Sequence, residues 1–421
     1  MTIGAHIDTR KGYAFKSTWY SQHGTPIVKV SNFTTDSIDT SNLVRIPDDI
    51  AAGYRKYALT QGDIVVQTVG SWPNNPASVV GKTIQVSREA SGALLNQNAV
   101  RLIPDHQLDA RFLYFLLRSD AYKKYIINCA QGAANQASIT LDSIRNFNFN
   151  LPPLPTQQKI AAVLSAYDDL IENNTRRIKI LEEMAQMIYR EWFVNFRFPG
   201  HEKVKMVDSP LGKIPEGWRV AKLSSLVDTQ YGYTESGSKD EVGPKYVRGT
   251  DINKNSFIRW ETVPYCPIDA ASHEKYKLHV GDLVVIRMAD PGKVGIIEKQ
   301  IDAVFASYLI RLSPRDVVVR PYFLFYLMLS DYYQGFVTGA STGTTRKSAS
   351  AGVLTDLDVI LPLARIQQQF ETIVSAIRGM LNNLLDKNAN LRTTRDLLLP
   401  KLISGEVDVS ELDIATEGLV S

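Results

Sequence analysis

The sequence contains two related halves, and this internal repeat restricts the folds open to the chain. LPPLPTQQKIAAVLSA begins at Leu151, and LPLARIQQQFETIVSA begins at Leu361, 210 positions later. KYALTQGDIVV from Lys56 matches KYKLHVGDLVV from Lys275 at an offset of 219, and FLYFLLRSD matches FLFYLMLSD at an offset of 211. These similar offsets indicate one structural unit that is duplicated with small changes in loop length. We therefore expect two equivalent folds related by approximate two-fold symmetry.

One long helix is predicted in each half, directly after the repeated Leu-Pro segment. Pro152, Pro153 and Pro155 are expected to lie outside the helix, and Thr156 after them is a suitable N-cap. Neither proline nor glycine follows as far as Trp192, so about 35 residues form a helix roughly 50 Å long. In the second half, Pro400 is predicted to end the equivalent helix.

Apolar residues recur every seven positions along both predicted helices. In the first helix this row consists of Ile160, Tyr167, Asn174, Leu181 and Ile188. The same row in the second helix consists of Phe370, Ile377, Leu384, Leu391 and Leu398. A second row in the first helix is predicted three residues further on, at Val163, Leu170, Arg177 and Met184. Ile171 and Ile178 widen this apolar stripe where Asn174 and Arg177 interrupt it. Leaving a leucine-sized group in water costs about 1.5–3 kcal/mol, so we expect the two helices to pack together as an antiparallel coiled coil.

These patterns predict an α+β fold with an internal pseudo-two-fold repeat. Residues 1–150 form a first domain of mixed strands and short helices, and residues 151–200 form the central helix. Residues 201–360 form a connector and a second domain, and residues 361–421 form the distal helix and a C-terminal tail. The two domains are expected to be separated by the long two-helix coiled coil.

The composition is that of an ordinary soluble globular protein. Of the 421 residues, 44% are hydrophobic and 22% are charged, and the net charge of +3 is too small to indicate nucleic-acid binding by itself. Only two cysteines occur, Cys129 and Cys266, which excludes a disulfide scaffold and a cysteine-rich zinc site. The N-terminus lacks a signal-peptide pattern, and no apolar run reaches the roughly 18 residues of a membrane span. We therefore expect a cytoplasmic protein that does not enter the membrane.

Several of these segments together resemble a known family. The run LPPLPTQQKIAAVLSAYDDLIENN, its partner LPLARIQQQFETIVSAI and the terminal LLLPKLISGEVDV are similar to segments of the specificity subunits of Type I restriction–modification systems. The opening GYAFKS, followed by PIVKVSNF and GDIVV, is similar as well. The resemblance covers nearly the whole chain, in the same order and twice.

The resemblance implies a DNA-recognition function in host defence. The two domains would be target-recognition domains that each read one half of a bipartite DNA site, with a non-specific spacer between the half-sites. The two long helices would form the coiled coil and dock two modification (methyltransferase) subunits, and this assembly would methylate adenine. Restriction (translocase/nuclease) subunits would join it to cleave DNA. S-adenosylmethionine, ATP and Mg²⁺ are expected on the partner subunits, with no cofactor on this chain. The alternative is a non-catalytic coiled-coil adaptor whose duplicated domains bind proteins.

The sequence contains no convincing catalytic motif or metal site. The only Pro-Pro pair lies between two leucines and does not match an adenine methyltransferase motif. The GKT at Gly81 lacks the glycine that a phosphate-binding loop needs five positions earlier, where Pro76 stands. The six histidines lack metal-ligand spacing, and we find no nuclease pattern of paired acids and lysine. We therefore predict a non-catalytic subunit.

Basic and amide side chains in loops are the candidates for reading DNA, because Arg and Lys recognise guanine and Asn and Gln recognise adenine. In the first domain the candidates are Lys29, Asn32, Gln67, Ser71, Asn74, Lys82, Asn96, Asn98 and Gln136. In the second domain they are Arg248, Thr250, Arg287, Lys293, Tyr308, Arg346 and Lys347. Gln67 and Arg287, like Lys29 and Arg248, lie at or within about one residue of equivalent repeat positions.

A second set of residues is predicted to face outward from the helices and bind partner subunits. On the first helix these are Gln157, Gln158, Tyr167, Asp168 and Asp169, and on the second they are Gln367 and Gln368. A hydrated helix face would explain the same polar residues without any partner.

Overall fold

The computed structural model describes residues 1–34, 37–73, 78–133, 136–253, 255–315, 318–340 and 347–416. The chain divides into two compact units. Unit 1 consists of Met1–Glu172 and Asn390–Ser421, and unit 2 consists of Asn173–Ala389. Each unit contains one globular domain and part of each long helix. The division therefore cuts both helices, whereas the predicted domain boundaries lie near the helix ends.

The first domain, residues 1–150 of unit 1, contains nine strands and four α-helices among the described residues. The strands are β1 (Ile7–Lys11), β2 (Thr25–Val28), β3 (Val44–Ile46), β4 (Ile64–Gln67), β5 (Val69–Gly70), β6 (Thr83–Gln85), β7 (Leu94–Leu95), β8 (Ala99–Pro104) and β9 (Ala137–Ser138). The helices are α1 (Asp48–Ala52), α2 (Ala110–Leu116), α3 (Asp120–Asn128) and α4 (Leu141–Arg145). The long helix α5 (Leu154–Tyr189) follows, enters unit 2 at Asn173 and ends in a π-helical turn at Arg190–Val194. It begins before Thr156 and includes Pro155, so the predicted N-cap is wrong.

A four-stranded antiparallel sheet of order β1-β8-β4-β6 organises the first domain. Every residue of the central strand β4 is buried because both faces of the sheet are covered. Ile64 and Val66 belong to the same core cluster as Phe112 of α2, whereas Val65 packs in a separate cluster with Val28 of β2. This alternation follows the two-residue period of a strand.

Unit 2 contains the connector, the second domain and the start of the distal helix. Its strands are β10 (Met206–Ser209), β11 (Gly212–Pro215), β12 (Arg219–Lys222), β13 (Val227–Tyr231), β14 (Lys245–Val247), β15 (Leu283–Ile286), β16 (Val294–Ile296), β17 (Ala303–Phe305), β18 (Leu309–Pro314) and β19 (Asp358–Leu361). Its short helices are α6 (Gly249–Ile252), α7 (Ala270–Tyr276), α8 (Pro321–Leu329), α9 (Asp331–Ala340) and α10 (Ala351–Thr355). The distal helix is α11 (Ala364–Ser404), which begins in unit 2 and ends in unit 1.

The second domain repeats the fold of the first, which confirms the predicted duplication. Its sheet has the order β13-β18-β15-β16, and β14 pairs with β17 in parallel as β2 pairs with β7. Even a strained turn recurs, because Gly81 has a φ of 78° and Gly292, 211 positions later, has a φ of 93°. A Cβ at either glycine would lie within 3 Å of a side chain, Ile126 in one case and Val337 in the other. Both glycines are therefore required by conformation and by space.

Within unit 2 the two long helices run in opposite directions. Asn174 donates its Nδ2 hydrogen to Oδ1 of Asn388 at 2.9 Å, and both side chains are buried. At the end of α5, Tyr189 packs on Phe370 near the start of α11, with ring centroids 6.2 Å apart. Positions thus advance along α5 as they decrease along α11. This confirms the antiparallel pairing predicted from the heptads.

The same antiparallel arrangement holds within unit 1. Asp168 forms an ion pair with Arg395, and Lys159 donates its Nζ hydrogen to the carbonyl of Ser410 at 2.6 Å. Between these two positions on α5, Ile160 shares a core cluster with Leu402, which lies between Arg395 and Ser410. The coiled coil in this unit therefore packs into the core of the first domain.

The second buried row of the coiled coil lies four residues after the first, so the predicted spacing of three is wrong. In α5 and its π-helical extension this row consists of Leu164, Ile171, Ile178, Ala185 and Trp192. In α11 it consists of Val374, Leu381, Asn388, Arg395 and Leu402. Of the row that was predicted instead, Leu170 is 51% exposed and Met184 is 45% exposed.

The prediction that Pro400 ends the distal helix is also wrong. The helix continues through Pro400 to Ser404. Gly405 follows with a φ of 79°, a conformation typical of the residue after a helix. Among the described residues, no helix has the length and hydropathy needed to cross a membrane.

Candidate nucleic-acid interface and partner surface

Three loop segments of the second domain meet where strand β15 ends. The backbone N–H of Arg287, the first residue after β15, donates to the carbonyl of Tyr308 at 2.9 Å. The carbonyl of Arg287 accepts a hydrogen bond from the N–H of Ala349 at 2.9 Å, and Ala289 donates to the carbonyl of Lys347 at 3.0 Å. The fold therefore brings together Arg287, Tyr308 and Lys347, which the sequence placed up to 60 positions apart.

The guanidinium of Arg287 is oriented by an aromatic ring. Its central carbon lies 5.1 Å from the ring centroid of Tyr231, a distance typical of a cation–π interaction. Its Nε is buried and has no hydrogen-bond partner among the described residues. Tyr308 beside it is 56% exposed, and Lys347 is exposed as well. This group combines a positive charge with hydrogen-bond donors and an exposed ring, which are the elements that contact bases and phosphates.

Arg248 is a weaker candidate because its charge is already balanced. Its Nε and Nη2 both donate to the carboxylate of Asp251 at 3.1 Å, and its backbone N–H donates to the same group at 2.8 Å. These bonds cap helix α6. The exposed Thr250 in this helix and the exposed Lys293 remain accessible candidates.

In the first domain, Thr68 rather than Gln67 is equivalent to Arg287. The N–H of Thr68 donates to the carbonyl of Asn98 at 2.9 Å, and its carbonyl accepts from Ile139 at 2.9 Å, which repeats the bonds of Arg287. Gln67 is fully buried and donates to the carbonyls of Val69 and Ser78. Gln67 therefore lies at the end of strand β4 and not in an accessible loop as predicted, because its amide supports the loop that follows.

The other candidates of the first domain differ in their burial and in their partners. Ser71 is buried and shares a hydrogen bond with Ser78, so it too has a local structural role. Lys29 is half-buried with its Nζ 4.2 Å from the ring centroid of Tyr20, and Lys82 donates to the carbonyl of Phe33. The half-buried candidates also include Asn32, Asn96 and Asn98, and Gln136 is exposed. Asn74 and Arg346 lie outside the described residues.

Two glutamines that were predicted to face outward are buried instead. Gln157 is 0% exposed and Gln367 is 1% exposed. The Oε1 of Gln157 accepts from the N–H of Asp109, and its Nε2 donates to the carbonyls of Gln107 and Pro152. Gln367 makes the equivalent bonds in unit 2. Each side chain thus joins the start of a long helix to its own globular domain.

Replacing Gln157 with leucine is expected to lower the free energy of unfolding of unit 1 by about 2 kcal/mol, because buried backbone groups would lose their partners. Gln158→Leu at the neighbouring, less buried position is the matched control and should change stability by less than about 0.5 kcal/mol. Urea unfolding followed by circular dichroism measures both variants. Equal losses for the two would contradict the structural role of Gln157.

Asp168 is also not an outward residue. One carboxylate oxygen pairs with Arg395, whose side chain is 2% exposed, and the other lies 3.9 Å from Nη1 of Arg118 in the first domain. Tyr167 is half-buried in the heptad row. The predicted partner residues that remain accessible are Gln158, Asp169 and Gln368.

A second buried ion cluster lies on the equivalent flank of the coil in unit 2. Arg378 is fully buried and donates two hydrogen bonds to the carboxylate of Glu298, at 2.7 and 2.6 Å. Its Nη1 donates to Oγ of Ser256 and lies 3.6 Å from the carboxylate of Glu182 in α5, and its Nη2 also donates to the carbonyl of Ser256. Burial raises the pKa of Glu182, and the charge of Arg378 opposes this effect. The cluster ties both long helices to the second domain.

The opposite flank of the coil in unit 2 is exposed and apolar. In an antiparallel coil, the residues that directly precede the buried rows of the two helices lie on the same flank. In unit 2 these residues include Met184 of α5 and Ile373 and Met380 of α11. Their exposed fractions are 45%, 40% and 50%. Ile180 and Met187 continue the surface along α5 and are 55% and 62% exposed. We call these five residues face 2. Such a surface is characteristic of a protein-interaction site.

These features define a class of proteins that carry a duplicated DNA-specificity domain. The family model described as "Type I restriction modification DNA specificity domain" matches residues 5–183 and 215–390. The chain therefore belongs to the family of Type I restriction–modification specificity subunits. As a specificity subunit it is the non-catalytic component of its complex. The described residues include no group of three or more His, Cys, Asp or Glu side chains that could hold a metal ion.

Individual relatives agree with this assignment. The chain is 26% identical to the Type I restriction enzyme MjaIX specificity subunit of Methanocaldococcus jannaschii, over 75% of this chain and 73% of the relative. It is 24% identical to the EcoBI specificity subunit of Escherichia coli, over 94% of this chain and 83% of the relative. The solved structure of a Type I S subunit from M. genitalium has a TM-score of 0.55 at 16% identity and covers 96% of this chain and 95% of that chain, which shows a shared fold.

Proposed function

We propose that this chain reads a bipartite DNA site, with one half-site for each globular domain and a non-specific spacer between them. The observation that carries the proposal is the duplicated loop cluster, in which the same backbone hydrogen bonds hold different side chains. Thr68 and Asn98 in the first domain stand where Arg287 and Tyr308 stand in the second. Equivalent placement supports equivalent docking on DNA, and the different side chains support recognition of two different base sequences.

The coiled coil supplies both the spacing of the domains and the partner surface in this proposal. Two modification subunits dock on its exposed flank, and restriction subunits join the complex through them. S-adenosylmethionine, ATP and Mg²⁺ are then held by those partners. The apolar residues of face 2 support docking, because five large side chains in one unit remain exposed by 40–62%. DNA binding by the domains and subunit binding by the coil therefore use different surfaces.

Binding to duplex DNA tests the recognition function directly. The chain together with its methyltransferase subunits should bind random-sequence duplex with an affinity that falls steeply as salt rises, because each phosphate contact releases counterions. Fluorescence anisotropy from 50 to 300 mM KCl measures the slope. The Lys82→Ala and Lys347→Ala variants should each reduce the slope by about one if these residues contact phosphates. A protein-binding adaptor would show no measurable affinity for DNA at any salt concentration.

A further inference from the structure

The two parts of the exposed coil flank are related by the sequence repeat, so their compositions can be compared position by position. The repeat relates each residue of face 2 to a position in unit 1. For the two residues on α11 this position lies 210 residues earlier, and for the three residues on α5 it lies 210 residues later. These positions, which we call face 1, are Val163, Leu170, Asn390, Thr394 and Leu397. Every residue of face 1 lies in unit 1, and every residue of face 2 lies in unit 2.

Part of the surface is the same in both faces. Leu170 is 51% exposed and its counterpart Met380 is 50% exposed, whereas Leu397 is 64% exposed and its counterpart Met187 is 62% exposed. Large apolar side chains with matched exposure thus recur 210 positions apart. A lone exposed leucine needs no explanation, but the repetition of two such positions fits a partner that is present twice.

At the remaining three positions, face 2 carries the larger or more apolar side chain. Ile180 and Met184 of face 2 correspond to Asn390 and Thr394 of face 1. Ile373, which is 40% exposed, corresponds to the smaller Val163, which is half-buried. Face 2 therefore offers five exposed large apolar groups, and face 1 offers two. Arg177 and Lys387, which are exposed and equivalent to each other, both lie on the side of face 2.

We infer that the two methyltransferase subunits bind this chain with unequal affinities, and that face 2 is occupied first. This inference rests on the proposed function. Burial of apolar area stabilises a complex in proportion to the area removed from water, so identical subunits gain more at face 2 than at face 1. The dissociation constants should differ by at least about tenfold. At limiting methyltransferase the complex with one bound subunit, held at face 2, predominates.

Two substitutions at equivalent positions separate the faces. Native mass spectrometry of the full chain titrated with its methyltransferase subunit should show the 1:1 complex in clear excess over the statistical mixture that two equal sites would give. Met380→Asp should abolish the tighter binding step and leave a single weak one. Leu170→Asp, the same change 210 positions earlier, should preserve the tight step and abolish the weak one. Because both residues are exposed, circular dichroism should show that each variant remains folded.

The outcomes distinguish this inference from the proposed function. If the wild-type chain binds two methyltransferase subunits with equal affinity, or if both variants lose the same step, the inference is wrong and the proposed function stands. If both variants bind like the wild type, the docking surface lies elsewhere and the inference is likewise wrong. If the wild-type chain binds no methyltransferase subunit, the proposed function itself fails.

Discussion

Replacing Arg378 with alanine is expected to lower the free energy of unfolding of unit 2 by about 3–5 kcal/mol. Arg378 is fully buried, and it holds the carboxylate of Glu298, which is only 6% exposed, with two hydrogen bonds. Its removal leaves that carboxylate without its cation, and a buried unpaired charge is among the costliest defects in a protein. The change also breaks the link between α11, Glu182 of α5 and Ser256.

Urea unfolding followed by circular dichroism measures this effect. Arg365→Ala, at an exposed position on the same helix, is the matched control and should change stability by less than about 0.5 kcal/mol. Arg378→Met combined with Glu298→Leu should recover part of the loss, because both buried charges are then removed. An Arg378→Ala variant with the unfolding midpoint of the wild type would show that the ion cluster does not hold the domain on the coil.

Replacing Arg287 with alanine is expected to weaken binding to the specific DNA site by about 1–3 kcal/mol, or roughly 5- to 150-fold. Arg287 places a guanidinium over Tyr231 at the loop cluster and has Nε free of hydrogen bonds among the described residues. Because a guanidinium that reads a base discriminates between base pairs, its removal should also relax the preference at one position of one half-site. Binding to random-sequence DNA should fall much less.

Anisotropy titrations with specific and random duplexes distinguish base recognition by Arg287 from a general effect of its charge. Lys213→Ala removes one exposed positive charge in β11, outside the loop cluster, and should leave the ratio of specific to random affinity unchanged. Tyr231→Ala should lower this ratio as Arg287→Ala does, because the ring orients the guanidinium. If Arg287→Ala weakens both duplexes equally, Arg287 binds phosphate rather than a base.

The duplication and the two long helices were predictable because both leave periodic patterns in the sequence. Offsets between 210 and 219 residues link equivalent strands, equivalent helices and equivalent glycines, so the α+β repeat could be predicted without coordinates. The correct second row of the coil was also present in the sequence. Leu164, Ile171, Ile178 and Ala185 are all apolar, whereas the row chosen instead contains Arg177. The predicted row therefore places Leu170 and Met184 on the buried side, whereas the structure exposes both.

Polar residues were the main source of error, because sequence patterns do not reveal which polar groups find buried partners. Gln157 and Gln367 are polar residues of the kind found on a hydrated helix face. Each one nevertheless forms hydrogen bonds with backbone groups of loops roughly 50 positions away. Which backbone N–H and C=O groups of those loops need a side-chain partner is decided only when the chain folds. Asp168 was misjudged for the same reason, since Arg395 lies 227 positions further along the chain. The DNA-reading assignments of the accessible loop residues remain predictions.

Mapping methylated adenines across the genome of cells that express this chain with its methyltransferase partner tests the central claim most directly. We expect the modified adenines to fall within one motif that has two specified parts of different sequence, separated by a gap of constant length. Cells that express the methyltransferase together with the Arg287→Ala variant of this chain should show a relaxed base preference in only one of the two parts of the motif. A single continuous motif, or a methylation pattern that does not change when this chain is absent, would contradict the account.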